Sequence, residues 1–211
     1  MKIEEKGACS TGLADEHQLE NKNLDPVFPW YEKKLFLKEK HMTLWTNDIF
    51  QVLVNHQVRQ VAYVPDAGHT HLINRCGQYG EMVSVPLTTE EEGIALLAGA
   101  WLGGDRGVLL MQSSGVGNCL NMFSLTRTCR MPLLMLVTMR GEWGEFNPWQ
   151  VPMGQNTEKL LKAADILTFH VDEINRLGET TEAAARMVFE GPAAAAVLIS
   201  QRIIGTKTFM E

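Results

Sequence analysis

The chain has 211 residues, 45% of them hydrophobic, and a formal net charge of −6. That length suits one domain with a sizeable core, and an acidic balance without long Lys or Arg runs excludes a nucleic-acid binder, whose phosphate contacts need clustered cations. Four cysteines, Cys9, Cys76, Cys119 and Cys129, show no C-x-x-C spacing, which argues against a disulfide framework or a metal site and for reduced thiols.

Residues 1–27 are polar and patternless, so a flexible N-terminal tail is expected ahead of a single domain over residues 28–211. The N-terminus has no apolar signal-peptide core. Apolar runs near Met131–Met139 and Pro192–Ile199 fall far short of the ~20 residues a membrane helix needs, so a soluble, cytoplasmic protein without membrane contact is expected.

From Thr46 to His56 the spacing predicts a helix with Ile49, Phe50, Leu53 and Val54 on one face. Gln60–Val64 reads as a strand closed by the turn Pro65–Gly68. Further strands are predicted at Met82–Val85, Val108–Gln112, Leu133–Thr138, Ile166–His170 and Ala195–Ile199. Helices are predicted between them at Glu90–Leu102, Asn118–Cys129, Thr157–Ala164 and Asp172–Glu190. The fold class is therefore α/β, a three-layer arrangement of a six-stranded, mainly parallel sheet with helices on both faces. Ligands of such sheets sit at the carboxyl ends of the strands, which directs attention to residues 65–71, 87–91, 113–118 and 139–155.

Three glutamates, Glu90 to Glu92, open an apolar helix. Thr88-x-x-Glu91 and Thr89-x-x-Glu92 both match a capping box, and acidic side chains suit the positive end of the helix dipole. Helical geometry places Glu91 on one face with Ala95, Ala98 and Leu102, so Glu91 is expected to point inward, either as a capping residue or as a desolvated carboxylate for proton chemistry. The stretch "SSGVGN", Ser113–Asn118, reads as a glycine turn after a strand. Its Gly115 and Gly117 allow a close approach by a ligand or a neighbouring helix, and Leu120 stands where a dinucleotide fingerprint needs a third glycine.

Together "TEEEGIALLAGAWL", "VLLMQSSGVGN" and "RMPLLMLVTMRG" resemble the pyrimidine-binding (Pyr) domain of thiamine diphosphate enzymes, in the sulfopyruvate and phosphonopyruvate decarboxylase branch, over residues 47–199. The resemblance implies that Glu91 hydrogen-bonds N1′ of the cofactor's aminopyrimidine, favouring the imino form whose 4′-nitrogen takes the thiazolium C2 proton. It also implies cofactor contacts from Pro65, Asp66, Gly115, Gly117 and Asn118. Family members hold the diphosphate through Mg2+ on a second domain marked by Gly-Asp-Gly, a motif that "GGDRG" at Gly103–Gly107 departs from. An alpha-type subunit is therefore implied, completed by a separate PP-domain (beta) subunit that holds the metal, with homo-oligomerisation besides.

The reaction implied is decarboxylation of a 2-oxo acid, an anionic 3-substituted pyruvate. After the first strand "VPDAGHTHLI" departs from the branch's usual pattern; its His69 and His71 are candidate acid/base or anion-binding groups, or else exposed or structural histidines. Arg140 is placed to meet an acidic substrate group or to pair with Glu142 or Glu145, and Gln155 is a candidate polar group near the cofactor. The rival reading is a non-catalytic nucleotide-binding or regulatory domain that uses Ser113–Asn118.

Overall fold

A computed structural model describes residues 45–205, and the tail expected over residues 1–27 lies outside them. Helix α1 occupies residues 45–55 and buries Trp45, Ile49, Phe50 and Leu53, close to the predicted stripe. It is followed by β1 (Val58–Tyr63), α2 (Thr70–Gln78), β2 (Val83–Pro86), α3 (Glu90–Leu102) and β3 (Arg106–Gln112). Next come α4 (Ser113–Cys119), α5 (Ser124–Thr128), β4 (Leu133–Thr138), α6 (Val151–Ala163), β5 (Leu167–Val171), α7 (Leu177–Glu190), β6 (Ala194–Ile199) and α8 (Gln201–Ile204).

All six strands are parallel, in the order β2-β1-β3-β4-β6-β5. A parallel sheet covered on both faces needs apolar residues at successive strand positions, and β4, with six of six residues buried, shows it most fully. The strand period of two sends Val108, Leu110, Leu134, Leu136, Ala195 and Val197 to one face, with α1, α2 and α7. It sends Leu109, Met111, Met135, Val137, Ala196 and Leu198 to the other, with α3, α4 and α6. No described helix is long and apolar enough to cross a membrane.

Several predicted boundaries change, among them the helix expected from Asp172, which begins at Leu177. The glycine stretch Ser113–Asn118 is helix α4 rather than a turn, and the helix expected over Asn118–Cys129 is divided between α4 and α5. The helix expected from Thr157 begins at Val151, because Pro152 falls in its first turn, where the missing N–H costs nothing. That start shortens the long connection after β4, and the helix tucks Gly154 under the preceding loop.

Glycine is obligatory at that contact, since a Cβ on Gly154 would lie 1.8 Å from the Arg140 carbonyl oxygen. On α3, by contrast, a Cβ on Gly99 meets nothing within 4 Å. Gly154→Ala is therefore expected to destabilise the chain by about 1–3 kcal/mol through overpacking, and Gly99→Ala to stabilise it by about 0.5–1 kcal/mol through helix propensity. Urea denaturation of the two variants checks both signs.

Candidate active site

The strand order reverses between β1 and β3, the position at which open parallel sheets bind ligands. Asp66, just after β1, ties three strand ends together there: its Oδ1 accepts from Gln112 Nε2 at 3.1 Å, and its Oδ2 from Thr138 Oγ1 at 2.7 Å and the Gly68 amide at 3.1 Å. Gln112 Oε1 in turn accepts from Ser114 Oγ at 2.9 Å. Pro65 is exposed on the same turn.

The inward carboxylate of α3 is Glu90, not Glu91. Glu90 is only 8% exposed, and α3 buries the stripe Glu90, Gly93, Ile94 and Leu97, leaving Ala95 exposed and Leu102 76% exposed. Packing chose this face because α3 is apolar on nearly every side after its glutamates, so periodicity alone admits either. Glycine then decides, for Gly93 sets the helix against Leu109 of β3, where a Cβ would lie 2.5 Å from the leucine Cδ1. Glu91 is half-buried and accepts from Thr89 Oγ1 at 2.7 Å, while Glu92 accepts from the Thr88 amide at 2.9 Å. Both of these outer glutamates serve the helix end.

Glu90 lies on Gly115 of α4, where a Cβ would come within 2.3 Å of its carboxyl carbon. Its Oε2 accepts from Asn118 Nδ2 at 2.8 Å, and Glu90 forms no ion pair among the described residues. Gly117, two residues on and about 200° around the helix, faces Met153 of α6, whose Sδ would be 3.2 Å from an added Cβ. Both glycines thus make room for a neighbouring side chain. Between α4 and α6 opens a cleft of about 880 Å³, lined by Ser114, Gly117, Asn118, Trp149, Met153 and Asn156 among others.

Four expected site residues are placed elsewhere. His69 is fully buried, its Nε2 donating to the Leu136 carbonyl at 3.1 Å, and burial holds its pKa below the ordinary imidazole value against the pull of Asp66. A neutral, enclosed ring of this kind is structural. His71 is exposed on α2. Gln155 is exposed on α6, where it is the next residue, Asn156, that lines the cleft, a full 100° around the helix. Arg140 is buried and spent on Glu145, with Nε to Oε2 at 2.7 Å and Nη2 to Oε1 at 2.6 Å. Burial also pushes the thiols of Cys76 and Cys119 up to about 12, so neither is a nucleophile at neutral pH. Among the described residues no group of three His, Cys, Asp or Glu side chains could hold a metal ion.

Around Arg140 a clamp holds the loop after β4. Glu145 also accepts from the Asn147 amide at 3.0 Å and from Gln201 Nε2 at 2.9 Å, while Glu142 accepts from Ser200 Oγ and the Gln201 amide, each at 2.7 Å. Burial pushes Glu142 up, but hydrogen bonds from His170, Ser200 and Gln201 outweigh it and hold its carboxyl below the usual range. The bond to Glu142 in turn raises His170.

No family model matches the chain. Individual proteins do. It is 37% identical over 122 residues to sulfopyruvate decarboxylase subunit alpha of Methanococcus maripaludis, across 57% of this chain and 73% of that protein. The subunit alpha of Methanocaldococcus jannaschii is 35% identical, with 72% of its length covered. The chain belongs to the family of sulfopyruvate decarboxylase alpha subunits and phosphonopyruvate decarboxylases. Relatives within it differ in length: the phosphonopyruvate decarboxylase of Streptomyces viridochromogenes is 38% identical over 121 residues that make up only 30% of its chain. Among solved structures, 2-oxoglutarate:ferredoxin oxidoreductase from Magnetococcus marinus shares the fold, at a TM-score of 0.57 and 10% identity over 76% of this chain and 29% of that one.

Sequence reasoning passed over Gln112 and Gln201 and took Glu90 for a flanking residue. Gln112 had a usable signal, since it is the last residue of a strand whose end borders the reversal point. Gln201 had none, being joined to the loop only by tertiary folding.

The clamp titrates. Bonds from Arg140 hold Glu145 at about 2, below its ordinary 4.5, so the stabilisation is complete above about pH 4.5 and is lost as pH falls through about 2. Glu145→Gln leaves a buried guanidinium without its charge partner and is expected to cost about 3–5 kcal/mol at neutral pH. In urea denaturation series the gap between variant and wild type should close as pH falls from 4.5 toward 2.

Proposed function

We propose that this chain is the alpha, Pyr-type subunit of a thiamine-diphosphate-dependent 2-oxo acid decarboxylase. Its site is completed by a separate beta-type subunit, which carries the Mg2+ and the diphosphate contacts. The observation that carries the reading is Glu90, a buried carboxylate without a cation, seated in the space Gly115 leaves and bordering an open cleft through Asn118. Such a group fits the aminopyrimidine of the cofactor, because a ring nitrogen can share a proton with a desolvated carboxylate that no cation has already claimed.

When bound, thiamine diphosphate supplies the nucleophilic carbon and the electron sink for loss of carbon dioxide. This chain's part is proton placement. Asn118 occupies Glu90 Oε2, and Oε1 accepts no hydrogen bond among the described residues, so Oε1 is the oxygen that takes or gives the proton. Gly115 sits behind the carboxylate, and Gly117 lies on the cleft wall itself. The 100° turn between Glu90 and Glu91 makes the two residues non-equivalent in this role.

An anionic 3-substituted pyruvate, sulfopyruvate or phosphonopyruvate, is the substrate class that the relatives' names support. With Arg140 held by Glu145, the second anionic group falls to cations of the partner subunit. The relatives of two lengths support the two-chain arrangement. In some the matched segment is most of a subunit called alpha, and in others it is under a third of a single longer chain.

Co-expression with a beta-type chain, followed by measurement of carbon dioxide release from both acids with thiamine diphosphate and Mg2+, tests the reading. Glu90→Gln is expected to lower kcat by about 100-fold or more, within the range for a lost acid/base group, and Glu91→Gln by only a few-fold. Gly115→Ala should resemble Glu90→Gln, since its methyl takes the place of the carboxylate. Undiminished turnover by Glu90→Gln would sink the assignment.

A further inference from the structure

Gln112 holds a place that proton transfer at Glu90 does not require. It ends β3, is half-buried, and stands directly beside the reversal between β1 and β3. Its amide is gripped at both ends, with Nε2 donating to Asp66 at 3.1 Å and Oε1 accepting from Ser114 at 2.9 Å. The direction of this chain is dictated by chemistry. A carboxylate accepting from Gly68, Thr138 and Gln112 has no hydrogen to give, so the NH2 end of the amide must face Asp66. The carbonyl end then faces Ser114 and takes its hydroxyl proton.

An amide nitrogen carries two N–H groups, and the second one on Gln112 has no acceptor among the described residues. Asp66 is anchored to β1, β3 and β4 at once, so the plane of the amide, and with it the aim of this N–H, is fixed before any ligand arrives. Ser114, its other grip, lines the cleft that Asn118 and Glu90 border. Two other candidate groups are committed, Arg140 to Glu145 and His69 to the interior.

We propose that this second N–H of Gln112 binds an oxygen of the 2-oxo acid's carboxylate or keto group, with Asp66 and Ser114 as positioning residues that set the amide plane. The proposal rests on the decarboxylase reading and adds a substrate contact to it. A neutral donor suits the reaction. Decarboxylation discharges the carboxylate, so a cation there would stabilise the ground state more than the transition state, whereas an amide orients the group with less of that penalty.

The test uses the co-expressed complex loaded with thiamine diphosphate and Mg2+, with sulfopyruvate, phosphonopyruvate and pyruvate as probes. Gln112→Ala and the near-isosteric Gln112→Glu, which exchanges the donor for an acceptor, are expected to raise KM for the 2-oxo acids about 10-fold or more, as loss of a hydrogen bond to a charged group does. Ser114→Ala should raise it less, because the amide remains but its plane loosens. Affinity for thiamine diphosphate should stay near wild type in all three, while the Tm should fall modestly in Gln112→Ala, which loses the bond to Asp66, and further in Gln112→Glu, which sets a second carboxylate against it.

Substrate binding is read independently by saturation-transfer NMR with the same probes on the Glu90→Gln complex, which should bind without turnover. An unchanged KM in both Gln112 variants overturns the proposal. So does a KM rise matched by equal loss of cofactor affinity, and so does the absence of a binding signal for every probe. Full activity in Glu90→Gln alongside an altered KM in the Gln112 variants would instead remove the proton-transfer reading and leave the substrate contact standing.

Discussion

A carboxylate set into the space of a missing side chain governs the geometry of this site. Glu90 reaches its position only because residue 115 has no Cβ, and Gly115 tolerates helical conformation there, at some cost in propensity, because the carboxylate fills the gap. The two residues belong to helices that follow β2 and β3, which are not adjacent in the sheet but flank β1. Their contact therefore bridges the point of strand reversal, and Asn118, three residues beyond Gly115 on the same helix face, completes it by occupying one carboxylate oxygen. Moving α4 by an ångström would either expel the carboxylate or open a void beneath it.

Rigidity on the far side of the cleft has a different origin. The loop between β4 and α6 exposes Trp143, Phe146 and Trp149 yet is held by buried charge: Arg140 and Glu145 pair inside it, and Glu142 and Gln201 sew it to the start of α8. Buried pairs of this kind recover the cost of desolvation only when their remaining donors and acceptors are used, and here the Asn147 amide and Gln201 use those of Glu145. The result is a wall that carries Trp149 in a defined place with little hydrophobic packing of its own. Gly154, pressed on the Arg140 carbonyl, locks that wall to α6.

Much of the fold was legible because strands buried on both faces cannot avoid apolar runs, and those runs fell at six places separated by helical spacing. β4 and α3 were readable to the residue. The site was less so, and for reasons specific to each residue. Glu90 and Glu91 differ by one step on a helix that is apolar all round, so no periodicity separates them; only the contact of Gly93 with Leu109 does, and that is tertiary. The glycines of "SSGVGN" looked like a turn because their usual cost inside a helix is a local rule, whereas what retains them is the side chains of Glu90 and Met153. His69 looked available because loops after strands are commonly exposed, yet this loop turns the ring under the sheet's edge to meet Leu136. Arg140 was left open between substrate and Glu145, and a partner five residues away in a tight loop had the advantage of proximity.

The same geometry bears on why the enzyme proposed here would be divided between chains. Glu90 can act on a cofactor ring only if that ring is delivered to the cleft, and among the described residues no three His, Cys, Asp or Glu side chains gather into a metal site. Trp149, 83% exposed on the clamped wall, and Leu102, 76% exposed at the end of α3, are large apolar side chains that a partner could cover. A partner that covered Trp149 would meet a surface already ordered by Arg140, Glu145 and Gln201. It would then avoid much of the entropy cost of fixing a loop at the moment of association. Pairing the loop's charges with one another leaves the residues that line the cleft uncharged, so that in the proposed reading a proton moved at Glu90, behind Asn118, is not competed for by a cation among them.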